Sequence, residues 1–405
     1  TPSLLSAVAP ALDYLVGYPY GCTEQTMSRF LPALLARQAL GAEVLPDSGQ
    51  NLRAITERGL ARLADFQHDD GGWNFWQNDD STLEMTAYVT GGLLRAKQVG
   101  APVDNAVLDS GLKYLSAHVA DPDERQADRA TAYRVLADAG RVKVPQLVNF
   151  ARRKELTPYS LAQLSMALNR AGQRQAAQDT LSRLKAARQG TTRGGLVYWG
   201  SSRQADDWWS YWDDNRIQVT AVALEALARL EPQSPLIPGV SQWLLQNRQG
   251  PRWVSTQDTT SVIVAALSLP RTGSSTPASV GVTVDGKTIR TVQTGAQAAT
   301  TVDVPTSLLT AGSHTIRLKG APGSLTYSGQ LTYSREPATL NAITNRGLTL
   351  GRTYERLTPQ WDAKEKRYTY ARTPLLRGGQ LQPVTVGDLI PVSYTHLRAH
   401  ETRHD

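Results

Sequence analysis

The sequence predicts a multidomain protein in which an all-α α/α toroid over residues 1–270 is followed by all-β sandwich-like modules. Three observations carry that prediction. Through residue 270 apolar side chains recur at spacings of three and four, the pattern of helices that bury one face. A turn carrying tryptophan recurs ahead of a helix that opens with threonine: Gly71-Gly72-Trp73 before Thr86, Gly194 to Trp199 before Thr220, and Gly250 to Trp253 before Thr259-Thr260. Past Pro270 the helical spacing gives way to strand alternation.

Taken in order, the helical spacing selects Leu4–Val16, Met27–Leu40, Leu52–Phe66, Leu83–Val99, Ala106–His118 and Ala127–Ala139. A short helix follows near Pro145–Arg152, then Leu161–Ala171, Ala176–Ala187, Val219–Leu230, Val240–Gln246 and Ser261–Leu269. Repeated helix hairpins bury their apolar faces only by stacking on neighbours. Closing an even number of them into a ring leaves no apolar end exposed, which is the argument for a toroid over an irregular helical domain with Trp-anchored turns.

Residues 271–277, Arg-Thr-Gly-Ser-Ser-Thr-Pro, read as a linker into a β module spanning 271–338. Val280–Val284 and Lys287–Val292 form a hairpin across Asp285-Gly286, a pair that supplies the positive φ angles a two-residue turn requires. Thr300–Val304, His314–Leu318 and Leu325–Tyr333 continue the strand pattern. A further β segment over 339–392 runs through Gly347–Arg356, Arg367–Tyr370 and Val384–Val392 and stops before a sandwich could close. Residues 393–405 carry no strand or helix pattern and resemble translated adapter DNA, so they are read as a non-native tail. On that reading His396, His400 and His404 are not a metal site despite their spacing of four.

Composition narrows the function classes. There are 43 Lys and Arg against 36 Asp and Glu, a net charge of +7, but the basic residues are mixed with acids rather than gathered into a stripe. Nucleic-acid binding is therefore not expected. No apolar run is long enough to span a bilayer. The chain opens on Thr1-Pro2-Ser3 with neither a basic segment nor a cleavage site, and is read as cut from a longer protein. Cys22 is the single cysteine, so the chain can hold no internal disulfide.

That thiol sits three residues before Gln25, where the turn Gly17-Tyr18-Pro19-Tyr20-Gly21 meets the Met27–Leu40 helix. Residues three apart share a face in a helical turn, so sulfur and carboxamide can meet. Attack of the thiol on the Gln25 carbonyl would expel ammonia and close a ring holding a thioester, with proximity supplying the effective concentration. Water would hydrolyse such a bond, so it needs a dry aromatic surround. Tyr14, Tyr18 and Tyr20 are the neighbours able to provide one.

The run Tyr18-Pro19-Tyr20-Gly21-Cys22-Thr23-Glu24-Gln25-Thr26-Met27-Ser28-Arg29-Phe30-Leu31-Pro32 resembles the thioester segment of the bacterial α2-macroglobulins, which share its Gly-Cys-x-Glu-Gln core with animal α2-macroglobulins and complement proteins. Gly71-Gly72-Trp73 with Thr86-Ala87-Tyr88, and Trp253 to Thr259, are similar to further landmarks of the same domain. The resemblance implies that Cys22 and Gln25 are the bonded pair, with Gly21 and Glu24 completing the motif and Tyr18 as the shielding tyrosine. It implies a protease inhibitor rather than an enzyme, one that takes target proteases covalently through their surface lysines. Its other partners would be further domains of the same protein, and 339–392 would be the start of a macroglobulin-like domain. Location would be periplasmic, either as an inner-membrane-anchored lipoprotein or secreted, with any membrane contact made by an anchor elsewhere. The family's complement members carry a transacylating histidine in a loop further along. Here Ala117–Arg129 looks shortened and His118 does not match, so acyl transfer should favour amines over hydroxyls.

No cofactor and no metal is expected. A second reading stays open, an α/α-toroid enzyme of the terpenoid-cyclase-like or polysaccharide-processing kind. It would use the acid pairs Asp69-Asp70, Asp79-Asp80, Asp206-Asp207 and Asp213-Asp214, with Trp208, Trp209 and Trp212 stacking a substrate. As helix caps and loop residues, the same aspartates need no catalytic role.

Overall fold

The computed structural model describes residues 4–18, 21–41, 44, 51–190, 195–200, 216–270, 278–294, 302–310, 312–320, 348–362, 367–377, 380–385 and 388–398. The chain divides into two compact units, Thr1–Gly329 and Gln330–Asp405.

The first unit begins with a 3-10 turn, Leu4–Ala7, that runs into α1 (Val8–Val16). Then come α2 (Thr23–Leu40), α3 (Leu52–Asp65), α4 (Leu83–Gln98), α5 (Asn105–His118), α6 (Gln126–Asp138) and α7 (Val144–Ala151). After these follow α8 (Pro158–Arg170), α9 (Arg174–Ala186), α10 (Arg216–Leu230), α11 (Ile237–Gln246) and α12 (Thr256–Ser268). Every helix expected from the spacing is present. The main difference is at the starts: α2 opens at Thr23 rather than Met27, because polar residues cap and begin a helix before its apolar stripe becomes visible.

The even-numbered helices contact one another in a closed order. α2 packs on α4, α4 on α6, α6 on α8, α8 on α10, α10 on α12, and α12 returns to α2. Odd-numbered helices flank them, with α3 on α2, α5 on α4, α9 on α8 and α11 on α10. Burial follows this division: α8 and α10 are buried around most of their circumference, whereas α9 buries only Ala177, Thr180, Leu181 and Leu184. Two glycines let α2 approach its neighbours closely. A Cβ on Gly92 of α4 would lie 2.5 Å from the Met27 sulfur, and one on Gly59 of α3 would lie 2.5 Å from the Phe30 ring.

The tryptophan repeat has a single physical basis in all three copies. Trp73, Trp199 and Trp253 are 0%, 0% and 1% exposed. Each indole N–H donates to a carbonyl at the end of the preceding helix: Trp73 to Leu63 at 2.7 Å, Trp199 to Leu184 at 2.7 Å, and Trp253 to Leu244 at 2.8 Å. Each tryptophan backbone N–H donates to a threonine hydroxyl of the next even helix: Thr86 at 2.9 Å, Thr220 at 3.0 Å and Thr259 at 3.1 Å. The turn thus satisfies an orphan carbonyl at one helix end while fixing the entry of the next helix. Ahead of Trp199 the chain forms a short antiparallel pair, β1 (Gln189–Gly190) with β2 (Val197–Tyr198).

The β part of this unit is a three-stranded antiparallel sheet in the order β4-β3-β5, from β3 (Ala278–Val284), β4 (Lys287–Thr294) and β5 (Ile316–Lys319). Asp285 and Gly286 both take positive φ, 48° and 85°, as the hairpin turn requires. The strand expected at Thr300–Val304 is corrected. Residues 302–305 form no strand and lead into a 3-10 turn at Thr306–Leu308, where Pro305 removes a ladder donor. Leu325–Tyr333 lies outside the described residues.

The second unit holds β6 (Leu348–Asp362), β7 (Arg367–Pro374), the short pair β8 (Leu376–Arg377) and β9 (Gln380–Leu381), and β10 (Val392–Arg398). Its main sheet has the order β10-β6-β7, all antiparallel. Two expectations are corrected here. Val384–Val392 is not a continuous strand: its part in the ladder is an isolated bridge from Leu389 to Leu357, and regular pairing starts at Val392. The stretch from Ser393, expected to lack strand pattern, pairs with β6 as far as Arg398. Val392, Tyr394 and Thr395 suit an extended backbone, and the free edge of β6 supplies partners. Among the described residues each β part consists of small single sheets and neither is a closed sandwich.

Candidate functional site

The site is built at the first turn of α2. Cys22 has an extended backbone, φ −68° and ψ 172°, and stands as the residue that caps the helix. Its backbone N–H donates to the Gln25 side-chain oxygen at 3.3 Å. In return the Gln25 backbone N–H is directed to the Cys22 sulfur. This is the reciprocal geometry of a capping box, with a thiol and a carboxamide in place of the usual hydroxyl and carboxylate. The bonding that starts the helix therefore also gathers sulfur and carboxamide into one turn.

Cys22 is 6% exposed, and burial pushes its thiol up, against the opposing pull of the Gln25 N–H. The sulfur accordingly stays protonated at neutral pH, so it is not a free thiolate nucleophile.

The residues around this turn fix it to the rest of the unit. Thr23 donates both its backbone N–H and its hydroxyl to the Phe75 carbonyl, each at 3.1 Å. Gly21 is held by Arg62 of α3, whose guanidinium donates to its carbonyl at 2.6 Å. Glu24 is 7% exposed yet fully partnered: Ser28 donates to one carboxylate oxygen at 2.5 Å and Thr256 of α12 to the other at 2.7 Å. The single Ser28 hydroxyl hydrogen is committed to Glu24, so the Tyr88 hydroxyl 2.8 Å away acts as donor to Ser28. Burial drives the Glu24 carboxyl above the usual carboxylate range and the Tyr88 phenol above its own ordinary value. One chain of hydrogen bonds thus runs from α4 through α2 to α12.

Of the aromatic residues expected to cover the bond, Tyr18 is half-buried and meets the Tyr14 ring edge-on at 5.6 Å. Arg252 lies 5.3 Å above that Tyr14 ring. Tyr20 lies outside the described residues. Sequence reasoning assigned no role to Tyr88, Ser28, Thr256, Arg62 or Phe75. Tyr88 and Thr256 stand inside the segments that follow Trp73 and Trp253, so the repeat was the available signal for them. Phe75, whose carbonyl holds Thr23, and its neighbour Trp76 are 41% and 56% exposed, large apolar rings left in solvent.

His118, set aside in the sequence, stacks on Tyr114 at 4.3 Å, and His68 bonds to Ser81 at 2.8 Å. Asp70 accepts from the Gly72 N–H and the Ser81 hydroxyl, which makes it a turn residue of the Trp73 segment. Among the described residues no group of His, Cys, Asp and Glu could hold a metal ion, and no helix is long and apolar enough to cross a membrane. Asp206-Asp207, Asp213-Asp214, Trp208, Trp209 and Trp212 lie outside the described residues.

Comparison with known proteins places this site in a family context. The profile of the A-macroglobulin TED domain matches residues 2–124 and 138–269. An alpha-2-macroglobulin of Thermotoga maritima is 29% identical over 289 residues, covering 68% of this chain and 15% of that protein. An Escherichia coli alpha-2-macroglobulin is 29% identical over 286 residues, covering 65% of this chain and 16% of that one. The chain therefore spans only about a sixth of the length of these relatives. A crystal structure of Salmonella alpha-2-macroglobulin reacted with methylamine superposes with a TM-score of 0.64 at 21% identity, covering 97% of this chain and 24% of that one.

Proposed function

Because this chain belongs to the A-macroglobulin family through its TED domain, we propose that Cys22 and Gln25 condense into an internal thioester and that it serves covalent capture of proteases. The observation that carries this reading is the reciprocal cap, in which the two groups already share hydrogen bonds across a single turn. In the forming step the Cys22 sulfur bonds to the Gln25 side-chain carbonyl carbon, and the carboxamide nitrogen leaves as ammonia with the thiol proton. In the capture step a lysine amine of the protease takes the acyl group as an amide, and the proton it gives up restores the Cys22 thiol. The chemistry is used once, which separates the protein from an enzyme.

Holding the bond until it is needed is a matter of excluding water and nucleophiles. Tyr18, half-buried against the edge of Tyr14, supplies apolar surface for that cover. The buried Glu24, tied to Ser28 and Thr256, fixes the first turn of α2 so that the bonded pair is held without play.

The closed order of contacts from α2 round to α12 supports reading the helical part as an α/α toroid; by the same family reading the β parts are the flanking modules of a longer inhibitor. A crystal structure in which α12 stands apart from α2 would contradict the ring. Periplasmic location, anchored or secreted, belongs to the same proposal, and cell fractionation with an antibody to this chain checks it. The chemistry is tested by treating purified protein with isotopically labelled methylamine and mapping the peptides. The expected result is one label on Gln25, absent from Cys22→Ala. Wild-type protein that takes up no label would refute the thioester.

A further inference from the structure

The C-terminal ends of α2, α4, α6, α8, α10 and α12 enclose a cavity of about 480 Å³, within the roughly 300–1,000 Å³ usual for small-molecule sites. It is remote from the thioester turn. Gln25 begins α2 and Gln38 lines the cavity at its other end, which at 1.5 Å per residue is a separation of about 20 Å.

Charge sets this cavity apart. Arg95, Arg134, Arg170 and Arg229, from four different helices, face into it, while Asp138 is the one acidic residue in its wall. Beneath them lies the buried Glu225. It accepts from Arg134 at 2.9 Å and Arg229 at 3.0 Å, and Arg95 reaches it at 3.4 Å. Asp138 accepts from Arg134 at 3.3 Å. Arg170 has no ion-pair partner among the described residues. Burial works to raise the Glu225 carboxyl, yet Arg134, Arg95 and Arg229 overcome it and hold the group well below the usual carboxylate range. Burial lowers Arg95, against the opposing pull of Glu225, with Arg134 and Arg229 adding repulsion.

Four guanidinium groups against two carboxylates leave two positive charges over, and Arg170 and Arg229, both exposed, present positive charge at the open side of the cavity. A mouth lined with charge of one sign draws oppositely charged solutes from solvent. Glu225 is taken up by Arg134, Arg229 and Arg95, and the cavity wall carries donors that arrive from several helices. That arrangement suits a tetrahedral dianion better than a second planar carboxylate. The volume exceeds what a bare phosphate ion fills.

We propose that this mouth of the helical unit binds the phosphate group of a small phosphate monoester. A competing explanation is structural: cations near helix C-termini offset the helix dipole. That effect fades beyond the last turn and does not account for the convergence of Arg95 and Arg134 on one carboxylate, but it makes a distinct experimental prediction.

The test is calorimetric titration of the purified chain with glycerol 3-phosphate, inorganic phosphate and glycerol, using wild type, Arg170→Gln and, as a control that does not line the cavity, Arg53→Gln. One saturable site for glycerol 3-phosphate is expected, at least as tight as inorganic phosphate, with glycerol silent. Arg170→Gln should weaken it about fivefold or more, the loss of a charge-assisted contact, while Arg53→Gln leaves it unchanged. Loss of thermal stability in Arg170→Gln with no ligand binding to wild type would favour the dipole role and overturn the site. Equal weakening in both variants would mean unspecific attraction and overturn it too. Binding of inorganic phosphate with exclusion of glycerol 3-phosphate would overturn the ester. Methylamine uptake at Gln25 should be the same in Arg170→Gln, so failure here is distinguishable from failure of the thioester.

Discussion

The turns at Trp73 and Trp253 differ instructively from the turn at Trp199. All three make the same two bonds, an indole to a helix-end carbonyl and a backbone N–H to a threonine. Yet the residues after Trp73 and Trp253 reach α2, through Phe75 to Thr23 and Thr256 to Glu24. The Trp199 turn leads into α10, which does not adjoin α2 in the closed order of contacts. Among the described residues, the same scaffold device touches the first turn of α2 where its helix neighbours α2. The shared anchor thus carries an added contact to the candidate site at Trp73 and Trp253.

The largest effect should come from removing an anchor outright. Trp73→Ala, Trp199→Ala and Trp253→Ala should each cost about 3–5 kcal/mol in urea unfolding, from the lost ring and the cavity it leaves. Near-zero cost at any one of them would break the equivalence of the three turns.

A gentler pair of changes separates scaffold from site. Thr220→Val strands the Trp199 backbone N–H and takes a donor from its carbonyl, Thr256→Val takes a donor from Glu24, and both should cost about 1–3 kcal/mol. Only Thr256→Val should also slow the formation or shorten the life of the amine-reactive bond, read as methylamine uptake at Gln25. Matching uptake in the two variants would show that the Glu24 contact plays no part in the site.

Glu24 gives a pH signature. Burial raises its carboxyl above the ordinary value of 4.5, while Ser28 and Thr256 pull it back in part. The folded state therefore keeps the proton to higher pH than the unfolded state. The stabilisation linked to that proton is complete below the ordinary value and is lost as pH rises through the folded one. Glu24→Gln should flatten this decline when urea midpoints are compared from the ordinary carboxylate range up to neutrality. Parallel curves for the two proteins would contradict it.

Arg62→Ala should have the smallest effect on stability, under about 1 kcal/mol, since its bond to the Gly21 carbonyl is exposed. Its consequence should appear instead as faster spontaneous hydrolysis of the bond, followed by release of the Cys22 thiol over time.

Much of the helical part was legible because an amphipathic stripe leaves a direct trace in sequence, and all twelve expected helices are present among the described residues. The pair Cys22 and Gln25 was legible for a similar reason, since a spacing of three within a helical turn needs no distant partner. What joins Glu24 to Thr256 spans 232 positions and depends on α12 returning to α2, which no local pattern encodes. Tyr88 was visible within a motif, but its donation to Ser28 arises from the packing of α4 on α2. In the β parts, strands such as Thr300–Val304 were overread because alternation in a short segment does not guarantee a partner for its ladder. β10 was missed because its partner, the edge of β6, lies about 40 positions earlier in the chain.

The account depends on sulfur and carboxamide having joined before any amine is met, and the mass of the intact, freshly purified chain tests this most directly. The prediction is a mass one ammonia below that of the sequence, no titratable thiol, and full appearance of that thiol once methylamine has added. A chain at its full sequence mass, with Cys22 open to thiol reagents from the start, would contradict it.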